Sequence, residues 1–214
     1  DFDGTDIENL ITDDGANDIA LDLGRGLMYW SDWGDDTIKR AALDGSNPET
    51  IVAVAGRPEG LAVHPRTGRV YWGDDGVGIR RCEQNGVGAI LLIPTTDSVR
   101  GVALDVASDA IYWVDLDGAL RRANLDGSNV ETLDSGLSFP VGIDLDPSTG
   151  VVITSEDFSG ELTALGLDGS LPQVLTDSLT NPAYLAIDRP LDLSFIFFDG
   201  FETGDTSDWS ASTP

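Results

Sequence analysis

The sequence predicts an all-β fold, a β-propeller of four-stranded antiparallel blades, and three interleaved motifs predict it. Tyr29-Trp30-Ser31-Asp32, Tyr71-Trp72-Gly73-Asp74 and Tyr112-Trp113-Val114-Asp115 begin 42 and 41 residues apart, and a degenerate copy, Ile153-Thr154-Ser155-Glu156, begins 41 further on. Asp3-Gly4, Asp44-Gly45, Asn85-Gly86, Asp126-Gly127 and Asp168-Gly169 keep the same step, with spacings of 41, 41, 41 and 42. The alternating stretches 19–22, 61–64, 102–105, 143–146 and 185–188 form the third series. Three phases with one period of about 40 residues mark repeated four-stranded units.

The second repeat shows how each unit reads. Leu61-Ala62-Val63 is the first strand, A. Residues 65–68, Pro-Arg-Thr-Gly, are a turn, because proline fixes φ and glycine accepts positive φ. Residues 69–72 are strand B, ending on large aromatic side chains that suit a pleated, half-buried surface. Residues 76–82 hold strand C. Asn85-Gly86 is a hairpin turn, and residues 89–93 are strand D. No stretch keeps helical periodicity. The predicted core is Leu21, Tyr29, Trp30, Leu61, Val63, Tyr71, Trp72, Val102, Leu104, Tyr112, Trp113, Ile143, Leu145 and Ile153.

Composition narrows the function classes. The 214-residue chain is 41% hydrophobic, enough for a globular core, and carries a net charge of −26. Such a charge repels phosphate backbones and anionic membrane surfaces, so nucleic acid is not an expected partner. No apolar run is long enough for a membrane span, so no membrane insertion is expected. Cys82 is the only cysteine, which removes intrachain disulfides and cysteine-based metal sites. His64 is the only histidine, which removes multi-histidine metal sites. It stands where other repeats have Asp22, Asp105, Asp146 and Asp188, as a structural substitute that keeps a hydrogen bond. Ser31 and Ser155 have no base nearby in sequence. No phosphate loop, zinc motif or nucleophile elbow is present.

A strand A ending in Asp, then Tyr-Trp-x-Asp, then Leu-Asp-Gly-Ser resembles the YWTD repeats of low-density-lipoprotein-receptor class B modules, across residues 1–199. The resemblance implies the six-bladed propellers of that family, which act as binding or structural ectodomains. It therefore implies a non-catalytic, extracellular or secreted interaction module, expected here as a monomer. The growth-factor-like module that follows such propellers in receptors is not found here, which makes a secreted bacterial relative the expectation.

The termini read as one shared blade. Residues 1–12 resemble the hairpin of strands C and D around Asp3-Gly4-Thr5. Residues 184–199 resemble strands A and B, and pairing the two segments would leave no exposed sheet edge. A five-bladed ring and a six-bladed parent with upstream blades missing both fit this count. The start at Asp1 without Met points to a processed form or a fragment. Residues 200–214 break the repeat and are expected to be a C-terminal tail.

Residues that every repeat shares are scaffold, because a packing residue is needed in each blade and a binding residue only once. The Asp-Gly-Ser turns are the place to consider calcium, but each offers too few oxygens for six to eight ligands, and no cofactor is expected. Where repeats differ, a site is expected. The B–C loops hold Trp33, Asp35, Asp36, Asp75, Asp117, Asp157 and Phe158. Topology puts them on one face with the D–A loops. Just before strand A, at the mouth of the central channel, the aligned residues are Asn17, Glu59, Arg100, Val141 and Ala183. Glu59 and Arg100 make either a salt bridge or a ligand-orienting pair. This face, with Trp33, Asp35, Asp36, Glu59, Asp75, Arg100, Asp117, Asp157 and Phe158, is expected to take a protein or carbohydrate ligand, with a basic partner favoured by charge. The alternative is a metal-dependent hydrolase resembling gluconolactonase-type propellers, whose ligands are Glu, Asn and Asp. Glu59 and Asn17 suit that set, but Arg100 would repel the cation.

Overall fold

The computed structural model describes residues 8–13, 15–54, 56–170 and 172–187, together with the backbone of 196–199. The turn expected at Asp3-Gly4, residues 188–195 and the tail at 200–214 lie outside the described residues. Among the described residues every regular element is a strand. Blade 1 is β1 (Ala16–Asp22), β2 (Leu27–Asp32), β3 (Thr37–Ala42) and β4 (Glu49–Ala53). Blade 2 is β5 (Pro58–Val63), β6 (Val70–Asp74), β7 (Gly78–Cys82) and β8 (Ile90–Pro94). Blade 3 is β9 (Val99–Asp105), β10 (Ala110–Asp115), β11 (Leu120–Asn124) and β12 (Glu131–Asp134). Blade 4 is β13 (Pro140–Asp146), β14 (Val151–Glu156), β15 (Glu161–Gly166) and β16 (Gln173–Thr176). Each is a sheet in chain order, and β17 (Tyr184–Ile187) pairs antiparallel with β18 (Ile196–Asp199).

Strand alternation explains the Tyr-Trp pair. Neighbouring residues of strand B point to opposite faces, so Tyr packs on the next blade and Trp on the previous one. Tyr29 shares a core cluster with Leu61 and Trp72, and Tyr71 shares one with Val102 and Trp113. Tyr112 packs with Ile143 and Leu145, where Thr154 replaces the Trp. Trp30 packs with Ile11 and donates its indole N–H to Asp13 at 2.8 Å.

The motif carboxylates hold the loops. The residue after each strand B donates its N–H to a carbonyl in the D–A loop of its own blade: Trp33 to Gly15, Asp75 to Arg57, Leu116 to Ser98 and Asp157 to Phe139. This repeated bond fixes the two loop sets on one face. At the other end Asp22, Asp105 and Asp146 accept backbone N–H groups from the A–B turn, and His64 does so through Nδ1, from Arg66 at 3.1 Å and Thr67 at 3.3 Å. His64 is thus the structural substitute expected. Arg40 and Arg122 reach the next blade, at Gln84 O (2.8 Å) and Leu167 O (3.1 Å).

The first strands lie side by side around a channel of about 1060 Å³. They approach so closely that a Cβ on Gly60 would stand 2.3 Å from Arg100 O, and one on Gly142 would stand 2.5 Å from Ala183 O. One core expectation is corrected. Leu21 is 55% exposed, and its neighbour Ile19 is exposed as well. The residues that match Ile19, Leu61 and Val102, are buried against Tyr29 and Tyr71 of the preceding blade; among the described residues no such tyrosine covers β1. Val63 and Leu104 are half-buried at the channel wall.

Candidate functional site

Glu59 and Arg100, expected at the channel mouth, meet there with Trp33, expected in the B–C loops of the same face. Glu59, on β5, is fully buried, and its Oε2 accepts a hydrogen bond from Arg100 Nη1 on β9 at 2.9 Å. Burial pushes the Glu59 carboxyl above its usual range, against the pull of Arg100. Trp33 enters from the B–C loop of blade 1. The Arg57 guanidinium carbon lies 3.6 Å from its ring centroid, and that of Arg100 lies at 6.0 Å. Both arginines are within cation–π range.

Four buried polar atoms in this group make no hydrogen bond among the described residues: Asn17 Nδ2, Trp33 Nε1, Glu59 Oε1 and Arg100 Nε, although Glu59 Oε1 lies 4.0 Å from Arg57 Nε. Buried polar groups are normally paired; six further such atoms lie elsewhere, among them Trp72 Nε1 and Trp113 Nε1 of the shared motif, and this set differs from those in standing where the repeats diverge.

Asp18, Arg57 and Tyr184 complete the mouth and were not singled out in the sequence. Asp18 occupies the strand position that is Gly60, Gly101 and Gly142 in the next blades. Its Oδ2 accepts from Leu61 N at 2.7 Å and its Oδ1 from Ile19 N at 2.8 Å, and burial pushes the carboxyl up to about 7. Tyr184, at the start of β17, is held above the ordinary tyrosine value by burial and by the Asp18 and Glu59 charges.

The loop carboxylates sit differently. A cation on strand C, in register with the Trp position of strand B, reaches back to the motif Asp. Lys39 Nζ contacts Asp32 (2.5 Å), Asp35 (2.8 Å) and Asp13 (3.1 Å). Arg80 contacts Asp74. Arg121 contacts Asp115, Asp97 (3.1 Å) and Asp117 (3.2 Å). Oxygens of Asp97, Asp115 and Asp117 lie within 4.8 Å of one another, but Arg121 already stands among them. Asp75 accepts from Ser98 Oγ. Asp35 and Asp117 are therefore balanced within their own blades. Asp36 is exposed at φ 53°.

Phe158 lies on the rim of blade 4, away from this cluster. It is 75% exposed and stacked on Phe139 with ring centroids 4.3 Å apart. Phe139 belongs to the D–A loop, directly before β13.

The mouth does not fit a divalent cation of the gluconolactonase kind. Arg100 holds Glu59 and stands where a second positive charge would be repelled, and the Asp18 oxygens both take backbone N–H groups.

Comparison with known proteins agrees with the architecture. Residues 26–65 match the family model of the low-density lipoprotein receptor repeat class B. A low-density lipoprotein receptor-related protein 1 of Pyricularia oryzae is 28% identical over 188 residues, covering 70% of this chain and 60% of its own length. A human low-density lipoprotein receptor-related protein 5-like protein is 28% identical over 157 residues, covering 70% and 62%. The chain thus spans about three fifths of these two relatives. Protein cueball of Drosophila erecta is 34% identical over 123 residues, covering 52% of this chain and 19% of its own length. Among solved structures, a chain of a nidogen/laminin complex superposes with a TM-score of 0.75 at 20% identity, over 85% of this chain and 72% of that one. A gluconolactonase of Xanthomonas campestris superposes with a TM-score of 0.68 at 20% identity, over 83% and 68%. At that identity both likenesses concern the fold. The sequence relatives come from a fungus, a human and a fly, so the expectation of a bacterial source finds no support in them.

Proposed function

We propose that this chain, a β-propeller carrying low-density lipoprotein receptor class B repeats, is a non-catalytic extracellular binding module that holds a protein partner at the channel mouth. The observation that carries the reading is the group of buried polar atoms without a hydrogen bond on Asn17, Trp33, Glu59 and Arg100, gathered where the repeats differ. Scaffold needs account for what the blades share and give no reason for this set. An aromatic ring flanked by two guanidinium groups and a buried carboxylate supplies apolar contact and directional hydrogen bonds together, the pairing typical of interaction hot spots. The receptor-related names of the curated relatives, and a nidogen structure solved as a complex with laminin, support a protein as the partner class.

The test is a screen of an array of extracellular proteins and glycans with wild type and a Trp33→Ala, Glu59→Gln double variant. The reading expects protein partners that the double variant fails to retain. Equal retention by both proteins overturns it, and retention of glycans alone moves the partner class to carbohydrate.

A further inference from the structure

The four blades differ in how they neutralise the carboxylate at the end of strand B. Lys39, Arg80 and Arg121 pair in register with Trp30, Trp72 and Trp113, and each reaches the motif Asp of its blade. In blade 4 the matching pair is Thr154 and Thr163, and the carboxylate is Glu156. Glu156 is buried and meets only neutral donors: Thr163 Oγ1 at 2.6 Å, Ser138 N at 2.7 Å and Ser159 Oγ at 3.4 Å. No salt bridge to it is formed among the described residues. This blade has a buried anion and lacks the cation that its neighbours carry.

The same two loops present an aromatic pair, Phe158 exposed and Phe139 half-buried. Phe158 follows Glu156-Asp157 directly, and Phe139 follows Ser138, whose N–H binds Glu156. Phe139 keeps a φ of +57°, a strained conformation for a bulky side chain, and its carbonyl accepts the Asp157 N–H at 3.1 Å. A stacked pair whose outer ring, Phe158, is exposed, carried on the two loops that enclose a carboxylate without a counter-cation, suits a cation that must also be flat, because a guanidinium lies on an aromatic face while its N–H groups seek carboxylates. The net charge of −26 steers basic segments towards the surface.

We infer that the Phe139–Phe158 stack is a docking site for an arginine side chain of a partner protein, which supplies from outside the positive charge that Lys39, Arg80 and Arg121 supply from within. This rests on the reading of the chain as a binding module and adds a second contact, on blade 4, with its own chemistry.

The test is a titration of the ¹⁵N-labelled protein with acetyl-Gly-Arg-Gly-amide, followed by NMR, with the citrulline peptide as a neutral isostere. Saturable shifts are expected at residues 138–139 and 157–159. They should weaken at least about fivefold for the citrulline peptide and for Phe158→Ala, an exposed position that leaves the core intact. Thr163→Arg gives blade 4 the cation of its neighbours, so it should abolish the shifts without lowering the melting temperature. Trp33→Ala, Glu59→Gln should leave them unchanged, which separates this site from the channel mouth. Equal response to both peptides, or an undiminished response in Phe158→Ala or in folded Thr163→Arg, overturns the inference.

Discussion

Arg100 Nη1 lies 2.9 Å from Glu59 Oε2, so the first strands of blades 2 and 3 are tied by an ion pair at the channel mouth, with the carboxylate fully buried. Removing Arg100 leaves the buried carboxylate with only the more distant Arg57, whose Nε lies 4.0 Å from Glu59 Oε1. Arg100→Met should cost about 3 kcal/mol at pH 7.5, in line with breaking one side of a buried pair. The cost should be smaller at pH 5 than at pH 7.5, because burial already favours the neutral form of Glu59. Urea titrations at both pH values measure it, and a loss equal at the two would show that Glu59 is not the group left unpaired.

Core residues split by blade position. Trp113 is buried between blades 2 and 3, so Trp113→Ala should cost about 3–5 kcal/mol. Leu21, more than half exposed on β1, should cost less than about 1 kcal/mol as Leu21→Ala. Chemical denaturation of the two variants checks both numbers together.

These two residues also show what the sequence disclosed. The 41-residue period gave the blades, their strands and the opposite roles of Tyr and Trp, because each is a local, repeated pattern. Leu21 carries the same pattern, but its burial depends on a preceding blade, which periodicity within β1 does not report. At the mouth, Glu59 and Arg100 were legible as exceptions in an aligned ring. Asp18 was legible in principle, as the break in a glycine series, yet it is offset one residue from that ring. Arg57 and Tyr184 reach the site through side-chain length and loop path, which spacing does not encode. The acidic loops were misleading for a related reason: their counter-charges, Lys39 and Arg121, sit on the next strand.

Asp18 gives the protein a definite pH response. Its carboxyl is pushed up to about 7 by burial, above an unfolded value near 3.9, so the folded state binds the proton more tightly. The stability it contributes is complete below pH 4 and is lost as pH rises through 7. Melting temperature should therefore fall between pH 5 and pH 8, and the slope should be shallower in Asp18→Asn. An identical slope in the variant would assign the response to other carboxylates.

Cys82 is buried in the interface of blades 1 and 2, and burial pushes its thiol up to about 12. The thiolate is the reactive form. Native protein at pH 8 should resist iodoacetamide for as long as it stays folded, whereas protein in urea should be alkylated readily. Intact-mass spectrometry checks it, and alkylation of the folded protein at the rate seen in urea would show the thiol to be accessible.

The central claim is that the channel mouth binds the partner. Its most direct measurement is calorimetric titration of a partner from the array into wild type, Trp33→Ala, and a control altered at the opposite face, Asp44→Ala, Asp126→Ala. Truncating an anchor of this kind typically costs 2 kcal/mol or more, about thirtyfold in affinity. The account predicts a loss of that order in Trp33→Ala and a change under about twofold in the control. The reverse pattern, with Trp33→Ala unaffected and the control weakened, would contradict it.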